Sequence, residues 1–149
     1  MNTIDIVKLL GGLSKFKGVY PADKIPTPSK LPFGVIVNTD PSTKPGTHWV
    51  AIWINRNGYG EYFDSFGLPP LTPQIYEYLE EYTTRWNYNK CAIQSTLPTS
   101  IACGYFAVFY ILHKIENQPL EYICNYFVKN NEINDKLVIG AIKFLNNFN

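Results

Sequence analysis

Apolar positions recur with helical spacing in several parts of the chain and alternate with strand spacing in others. Gly11-Gly12 follows the first helical pattern and is typical of a helix end. The apolar spacing at 74–86 predicts an amphipathic helix. Asn134 is expected to cap the last helix. Helices are predicted over 3–10, 74–86, 101–115, 120–128 and 134–148.

The clearest strand pattern is a hairpin in the middle of the chain. Residues 47–54 (THWVAIWI) have apolar side chains on both faces, which is typical of a central strand covered on two sides. Asn57-Gly58 favours a type I′ turn, after which 59–64 returns antiparallel. In that register the numbers of paired residues sum to about 115.

The remaining segments complete a small sheet. Residues 19–32 contain four prolines, which restrict φ and remove N–H donors, so we expect an ordered extended loop there. Further strands are expected over 31–37 and at Cys91-Ala92-Ile93. Helices around a small, mostly antiparallel sheet indicate an α+β fold, and the length suits a single domain over 1–149.

Composition and charge exclude some classes of function. The net charge is +1, and no run of Lys or Arg indicates a nucleic-acid surface. No apolar run reaches the ~20 residues of a membrane span, so we expect a soluble protein. Asp5 and Lys8 interrupt the N-terminal apolar pattern, which argues against a secretory signal. Three cysteines cannot all pair within the chain, so free thiols in a reducing, intracellular setting are expected.

Cys103 is the candidate nucleophile, because it lies on the first turn of the apolar helix predicted over 101–115. The positive end of the helix dipole and the unpaired N–H groups there favour the thiolate. Thr99 or Ser100 could cap this helix, and Gly104 would allow a substrate to approach the backbone. The structural alternative is a small buried cysteine at the start of a core helix.

His48 is the candidate base. The only other histidine, His113, follows Cys103 by ten residues, which is ~15 Å along an intact helix. Asp64 ends the strand opposite His48 and could orient its imidazole. In the type I′ register the two are offset by about three positions, so a bulge or a shifted register would be needed for contact. Each could instead be an ordinary structural residue.

Gln94 is the candidate oxyanion donor. It precedes Cys103 by nine residues, on a segment expected to be a strand running toward the cysteine loop. Its side-chain N–H could join the backbone N–H of Cys103 in binding a developing oxyanion. The structural alternative is a polar residue at the end of a strand.

The order His, acid, Gln, Cys, in the motifs GTHW, YFDSFG, AIQS and ACGYF, resembles the adenovirus-type cysteine protease family and its relatives in virophages and virus-like transposons. It is more distantly similar to the SUMO-type proteases of ubiquitin-like proteins. The resemblance covers about 19–112. It implies a papain-like cysteine protease domain with His48 as base, Asp64 as its orienter, Gln94 in the oxyanion hole and Cys103 as nucleophile.

The resemblance also implies a substrate class and a setting. Trp49 and Gly104 would line a narrow groove, so small residues, often glycine, are expected before the scissile bond. Capsid or other virion precursors would be the polypeptide partners of a monomeric enzyme in the host cytoplasm, virus factory or virion. No cofactor is expected. The peptide and DNA activators of the adenovirus enzyme are not carried over, because Cys91 has no clear match to its linking cysteine and the net charge is low.

Two departures from the family pattern leave alternatives open. The gap between Gln94 and Cys103 is longer than usual, and Asp64 replaces the Glu of adenovirus. A deconjugase of SUMO or ubiquitin would share the same fold and order of residues. An acetyltransferase of the bacterial-effector type would share the order as well. A non-catalytic interaction module would use the aromatic surface instead.

Overall fold

The computed structural model describes residues 1–148, so the last residue of the expected domain 1–149 lies outside the described part. Five helices and five strands follow one another along the chain. In chain order they are α1 (Thr3–Leu10), β1 (Phe16–Pro21), β2 (Phe33–Asn38), β3 (Trp49–Ile54), β4 (Tyr59–Phe63), α2 (Pro73–Tyr82), β5 (Arg85–Tyr88), α3 (Cys103–Ile115), α4 (Leu120–Asn125) and α5 (Asn131–Asn146).

The strands form one mixed sheet in the order β1-β2-β3-β4-β5. The hairpin pairing of β3 with β4 is antiparallel as expected, and β2 with β3 is antiparallel as well. The two outer pairings, β1 with β2 and β4 with β5, are parallel. The α+β class is confirmed, with parallel strands at both edges of the sheet.

The sheet has a hydrophobic core on each face. One core packs α1, α3 and α5 against residues such as Ile36, Ala51 and Trp53. The other packs α2 against Val35 and Ile52. Alternate residues of β2 and β3 therefore point into different cores, as the two-sided apolar pattern predicts. No helix within 1–148 is long and apolar enough to cross a membrane.

The hairpin between β3 and β4 differs from the predicted turn by one residue. Asn55 N–H donates to the Tyr59 carbonyl at 2.9 Å, which leaves three residues in the loop. A type I′ turn needs a positive φ at both central residues, and of the pair Asn57-Gly58 only Gly58 has one, at 79°. Ile54 pairs with Gly60, so paired numbers sum to 114 rather than about 115.

Several other boundaries differ from the sequence-based predictions; the helix expected over 120–128, for example, ends at Asn125. The helix expected over 74–86 ends at Tyr82, and 85–88 pairs with β4 as a strand. Residues 16–21 form an edge strand, where Pro21 is tolerated at its end. Residues 91–93 are irregular instead of a strand. The last helix begins at Asn131, because the cap is Asn130 rather than the expected Asn134. The Asn130 side chain accepts from two backbone N–H groups.

Candidate active site

Cys103 is the first residue of α3, and Ala102 occupies the capping position without a side-chain hydrogen bond. The expected cap by Thr99 or Ser100 is therefore wrong; the Ser100 hydroxyl instead donates to Asp135 at 2.7 Å. Cys103 is half-buried and opens onto a groove of about 670 Å³. The end of β1, the loop over 38–47, the N-terminal residues and 100–103 line this groove.

His48 lies directly before β3, and Asp64 lies directly after β4. His48 Nε2 and Asp64 Oδ1 are 2.8 Å apart, so the two side chains are in direct contact. No bulge is needed. In the observed register His48 and Asp64 are diagonal neighbours on one face of the sheet, where long side chains meet. The register predicted from a type I′ turn would have placed them on opposite faces.

The Asp64 loop is held in place by Asn89, a residue that the sequence analysis did not single out. Asn89 Oδ1 accepts from the Asp64 backbone N–H at 2.8 Å, and Asn89 Nδ2 donates to the Asp64 carbonyl at 2.6 Å. Asn89 is only 2% exposed. The Phe66 N–H donates to Asp64 Oδ1 at 2.9 Å, and the Phe66 ring stacks on His48 with centroids 5.0 Å apart. The carboxylate and the imidazole are thus both fixed.

Gly67 permits the tight turn that follows Asp64. Its φ is +68°, and a Cβ there would lie 2.7 Å from the Ala92 nitrogen. Gly67→Ala should therefore destabilise the protein by about 1–3 kcal/mol in denaturant unfolding. Gly12→Ala is the matched control, because a Cβ at Gly12 would meet nothing within 4 Å. Equal stability of the two variants would contradict this assignment.

Opposing effects set the charge on Cys103 and His48. Burial alone would lower the pKa of His48, but hydrogen bonds to Asp64 and Cys103, and their charges, raise the pKa to about 9. Burial alone would raise the pKa of Cys103, but the hydrogen bond to His48 and the backbone N–H of Trp49 lower it. Because Asp64 occupies Nε2 of the imidazole, Nδ1 is left for the thiol. These shifts favour a thiolate–imidazolium pair.

Gln94 is buried in an irregular segment rather than at the end of a strand. Its Oε1 accepts from the Ser65 hydroxyl at 2.5 Å, and its Nε2 donates to Ser100 Oγ at 2.9 Å. Ser100 lines the same groove as Cys103, so the Gln94 amide is held against a groove residue. An amide NH₂ carries two hydrogens, and the bond to Ser100 uses one of them.

Asp135 on α5 fixes the segment between Gln94 and Cys103, and the sequence analysis did not single it out either. Its Oδ2 accepts from Ser100 Oγ at 2.7 Å and its Oδ1 from the Ser95 N–H at 3.1 Å. These bonds fold the segment back toward the groove. The long spacing between Gln94 and Cys103 is therefore accommodated by contacts with a distant helix.

Trp49 and Gly104 meet beside Cys103. A Cβ on Gly104 would lie 3.1 Å from Trp49 Cδ1 and 3.2 Å from the Cβ of Met1. Trp49 Nε1 donates to the Met1 carbonyl at 3.3 Å, and both residues line the groove. Gly104 itself is buried and is not among the residues that line the groove, so of the two predicted substrate contacts only Trp49 faces it. No group of three or more His, Cys, Asp or Glu side chains suited to a metal ion occurs among the described residues.

Comparisons with known proteins show which proteins this chain is similar to. No protein-family model matches the chain. It is 34% identical to a cysteine protease of African swine fever virus (tick isolate from Malawi) over 57% of this chain and 34% of the relative. It is 30% identical to a SUMO-1 cysteine protease of a South African tick isolate of the same virus, over 78% of this chain and 45% of the relative. The chain thus spans less than half the length of these relatives.

Two crystal structures of the African swine fever virus protease are similar to this chain. One has a TM-score of 0.53 with 27% identity, over 71% of this chain and 42% of the other. The second has a TM-score of 0.65 with 19% identity, over 92% of this chain and 65% of the other. At 19% identity, the similarity to the second structure establishes the fold and nothing about activity. The fold is that of a papain-like cysteine protease, and the chain is similar in sequence and structure to viral cysteine proteases, without the adenovirus-type branch being singled out.

Proposed function

We propose that this chain is a cysteine peptidase with Cys103 as nucleophile. The observation that carries the proposal is the position of His48, which contacts Asp64 through Nε2 and interacts with Cys103 beside a groove. A nucleophile, a base and an orienting carboxylate in contact are the requirement for nucleophilic acyl transfer. The similarity to viral cysteine proteases supports it.

The reaction follows from the charges of this pair. The Cys103 thiolate attacks the peptide carbonyl carbon and forms a tetrahedral oxyanion. Protonated His48 gives its proton to the leaving amine as the C–N bond breaks, which leaves a thioester on Cys103. Neutral His48 then takes a proton from water, and the resulting hydroxide hydrolyses the thioester. Asp64 keeps the imidazole oriented through both steps.

The oxyanion would be bound by groups at the start of α3. The Cys103 backbone N–H belongs to the first turn of that helix, where N–H groups lack intrahelical partners. The second hydrogen of the Gln94 amide would be the other donor, with Ser100 and Asp135 holding the amide in place. Ser100 and Asp135 are therefore positioning residues in this proposal.

Substrates with glycine before the scissile bond suit a groove in which the Trp49 indole lies near the thiol. Met1 and Trp49 line the groove together with Cys103, and glycine needs the least space beside these side chains. Relatives named as SUMO-1 cysteine proteases favour a ubiquitin-like protein with a Gly-Gly tail over virion precursors as substrate. We therefore infer a peptidase that acts after Gly-Gly, with ubiquitin-like proteins as the first substrate class to test.

The test compares two substrates that share the Gly-Gly sequence. One is SUMO-1 extended beyond its Gly-Gly tail, and the other is a short unstructured peptide with the same residues around the bond. Cys103→Ala protein serves as the blank. Preferential cleavage of the folded substrate supports a deconjugase, and equal or better cleavage of the peptide supports precursor processing. Cleavage of neither, with no difference from the blank, would contradict the peptidase and favour an interaction module.

The pH profile of kcat/KM should be bell-shaped, with its alkaline limb near pH 9. Activity should rise as Cys103 loses its proton, at a pH below the ordinary thiol pKa, and should fall as His48 loses its proton at about 9. Asp64→Asn should move the alkaline limb to lower pH, because it removes a charge that raises the pKa of His48. The control is Asp23→Asn, which removes an exposed carboxylate and should leave the alkaline limb of the profile in place. If the alkaline limb did not move in Asp64→Asn, the proposed role of Asp64 would be contradicted.

Gln94→Ala should lower kcat by about 10²–10³-fold with little change in KM, because a donor that acts on the transition state is lost. Alkylation of Cys103 by iodoacetamide forms no oxyanion and should keep its rate. Asn131→Ala is the matched control, since Asn131 Nδ2 donates only to the Gln94 carbonyl and not to its amide. A kcat loss as large in Asn131→Ala would mean that Gln94 acts through the fold of its segment.

A further inference from the structure

Cys91 and Cys124 form a pair of thiols outside the candidate active site. Cys91 lies in the irregular segment after β5, and Cys124 lies near the end of α4. Both are partly exposed, and both line one cavity of about 410 Å³ together with Asn89, Lys90 and other residues. Each thiol is among the groups that shift the pKa of the other, so the two side chains lie close together. The proposed peptidase mechanism uses neither thiol.

We propose that Cys91 and Cys124 are a reversible dithiol site, which low-molecular-weight disulfides such as oxidised glutathione convert to an intramolecular disulfide. The two requirements for such a site are a second thiol within reach of the first and access for the reagent. The position of both thiols on one cavity, where each shifts the pKa of the other, meets the first requirement. The open cavity on which both residues lie meets the second.

The environment of Cys91 makes it the attacking thiol. The neighbouring Cys124 thiol lowers the pKa of Cys91 to about 7, against the opposing effect of burial, and the nearby Asn89 side chain lowers it further. A thiol with a pKa near the ambient pH is close to optimal for attack on a disulfide. The neighbouring Cys91 thiol, followed by burial, raises the pKa of Cys124. Cys124 is thus the resolving thiol.

The exchange balances in two steps. The Cys91 thiolate attacks one sulfur of oxidised glutathione, which forms a mixed disulfide and releases one glutathione thiolate. Capping Cys91 removes the anion that held the Cys124 proton, so that Cys124 can ionise. Its thiolate then attacks the Cys91 sulfur and expels the second glutathione. Two protein thiols are oxidised, one glutathione disulfide is reduced to two thiols, and no other reactant is needed.

The site adjoins the segment that supports Asp64. Asn89 Nδ2 donates to the Cys91 carbonyl at 3.2 Å as well as to the Asp64 carbonyl. A Cβ at Gly67, in the Asp64 loop, would lie 2.8 Å from the Cys91 carbonyl oxygen. The pair therefore adjoins a closely packed part of the chain. Formation of the disulfide itself does not depend on the proposed peptidase activity.

The test uses Cys103→Ala protein, in which Cys91 and Cys124 are the only cysteines left. The folded protein is incubated with oxidised glutathione and analysed by intact mass spectrometry. We expect a monomer that has lost two hydrogen atoms and recovers them in dithiothreitol. The added Cys124→Ser change should stop the reaction at one glutathionyl group, and Cys91→Ser should slow the first step. Cys103→Ser repeats the test in case the alanine variant does not fold.

Several results would overturn the proposal. A stable mixed disulfide without loss of two hydrogen atoms would mean that Cys124 cannot reach Cys91. Formation of disulfide-linked dimers would mean that the two thiols do not act as one site. A reaction that occurs in denaturant but not in the folded protein would mean that the site is not accessible. Phenylarsine oxide tests independently whether the two thiols are close enough to be bridged, because one molecule binds two neighbouring thiols with loss of water. Failure of one molecule to bind both thiols would also count against the pair.

Discussion

Cys103→Ala should lower peptide hydrolysis by on the order of 10⁵–10⁶-fold, as expected when the nucleophile of an acyl-transfer enzyme is removed. No thioester can form without the Cys103 sulfur, and the remaining groups can only polarise the carbonyl. The fold should be retained, because alanine is compatible with the first turn of a helix and Cys103 is only half-buried. Hydrolysis of a Gly-Gly substrate and the unfolding midpoint are the two measurements.

Cys124→Ala is the matched control, because it removes another partly buried thiol from a helix. It should keep the wild-type rate when both proteins are fully reduced. An equal loss of activity in the two variants would show that a general effect on the fold, rather than a nucleophile, had been removed. Wild-type activity in Cys103→Ala would exclude the mechanism proposed here.

His48→Ala should lower kcat by about 10²–10⁴-fold, the usual contribution of a general acid–base. It should also raise the pKa of Cys103, because the hydrogen bond and positive charge of His48 are among the causes of its lowering. The pH dependence of alkylation by iodoacetamide measures that pKa without any need for a substrate. A merely structural histidine would change the stability of the protein but not this profile.

The control for His48 is the second histidine in the chain. His113→Ala removes a half-buried imidazole that hydrogen-bonds Phe109 and packs on its ring, so it should cost stability. It should leave the alkylation profile and kcat unchanged, because His113 lies on α3 well beyond the thiol. If the alkylation profile moved equally in both variants, His48 would not be the partner of Cys103.

The chemistry-bearing residues could be predicted from the sequence because few candidates exist. Two histidines, one of them on the cysteine helix itself, left His48, and the apolar run after Cys103 made the helix start recognisable. The structure places His48 against Asp64 and beside Cys103, as this reasoning required. It places Gln94 against Ser100, which lines the same groove. Their catalytic roles stay predictions.

The supporting residues could not be predicted, because their contacts join distant parts of the chain. Asn89 binds the Asp64 backbone across 25 positions, and Asp135 binds Ser100 across 35. Neither pair follows a periodic pattern. Helical spacing predicts a helix as far as residue 86, whereas residues 85–88 form a strand because they pair with β4, which is a tertiary contact. Local patterns determine the element type, whereas such contacts determine which short segments become strands.

The three-residue loop between β3 and β4 has a consequence for any change in its length. Side chains on a strand alternate between the faces of the sheet, so contact between His48 and Asp64 depends on whether the number of residues separating them along the hairpin is odd or even. Deleting one loop residue and closing a two-residue turn would move the carboxylate to the opposite face. Deleting or inserting two residues would return Asp64 to the face that carries His48, but at a shifted position along the strand. The length of the exposed loop around Asn57 thus decides whether Asp64 lies on the same face of the sheet as His48, even though Asn57 contacts neither side chain.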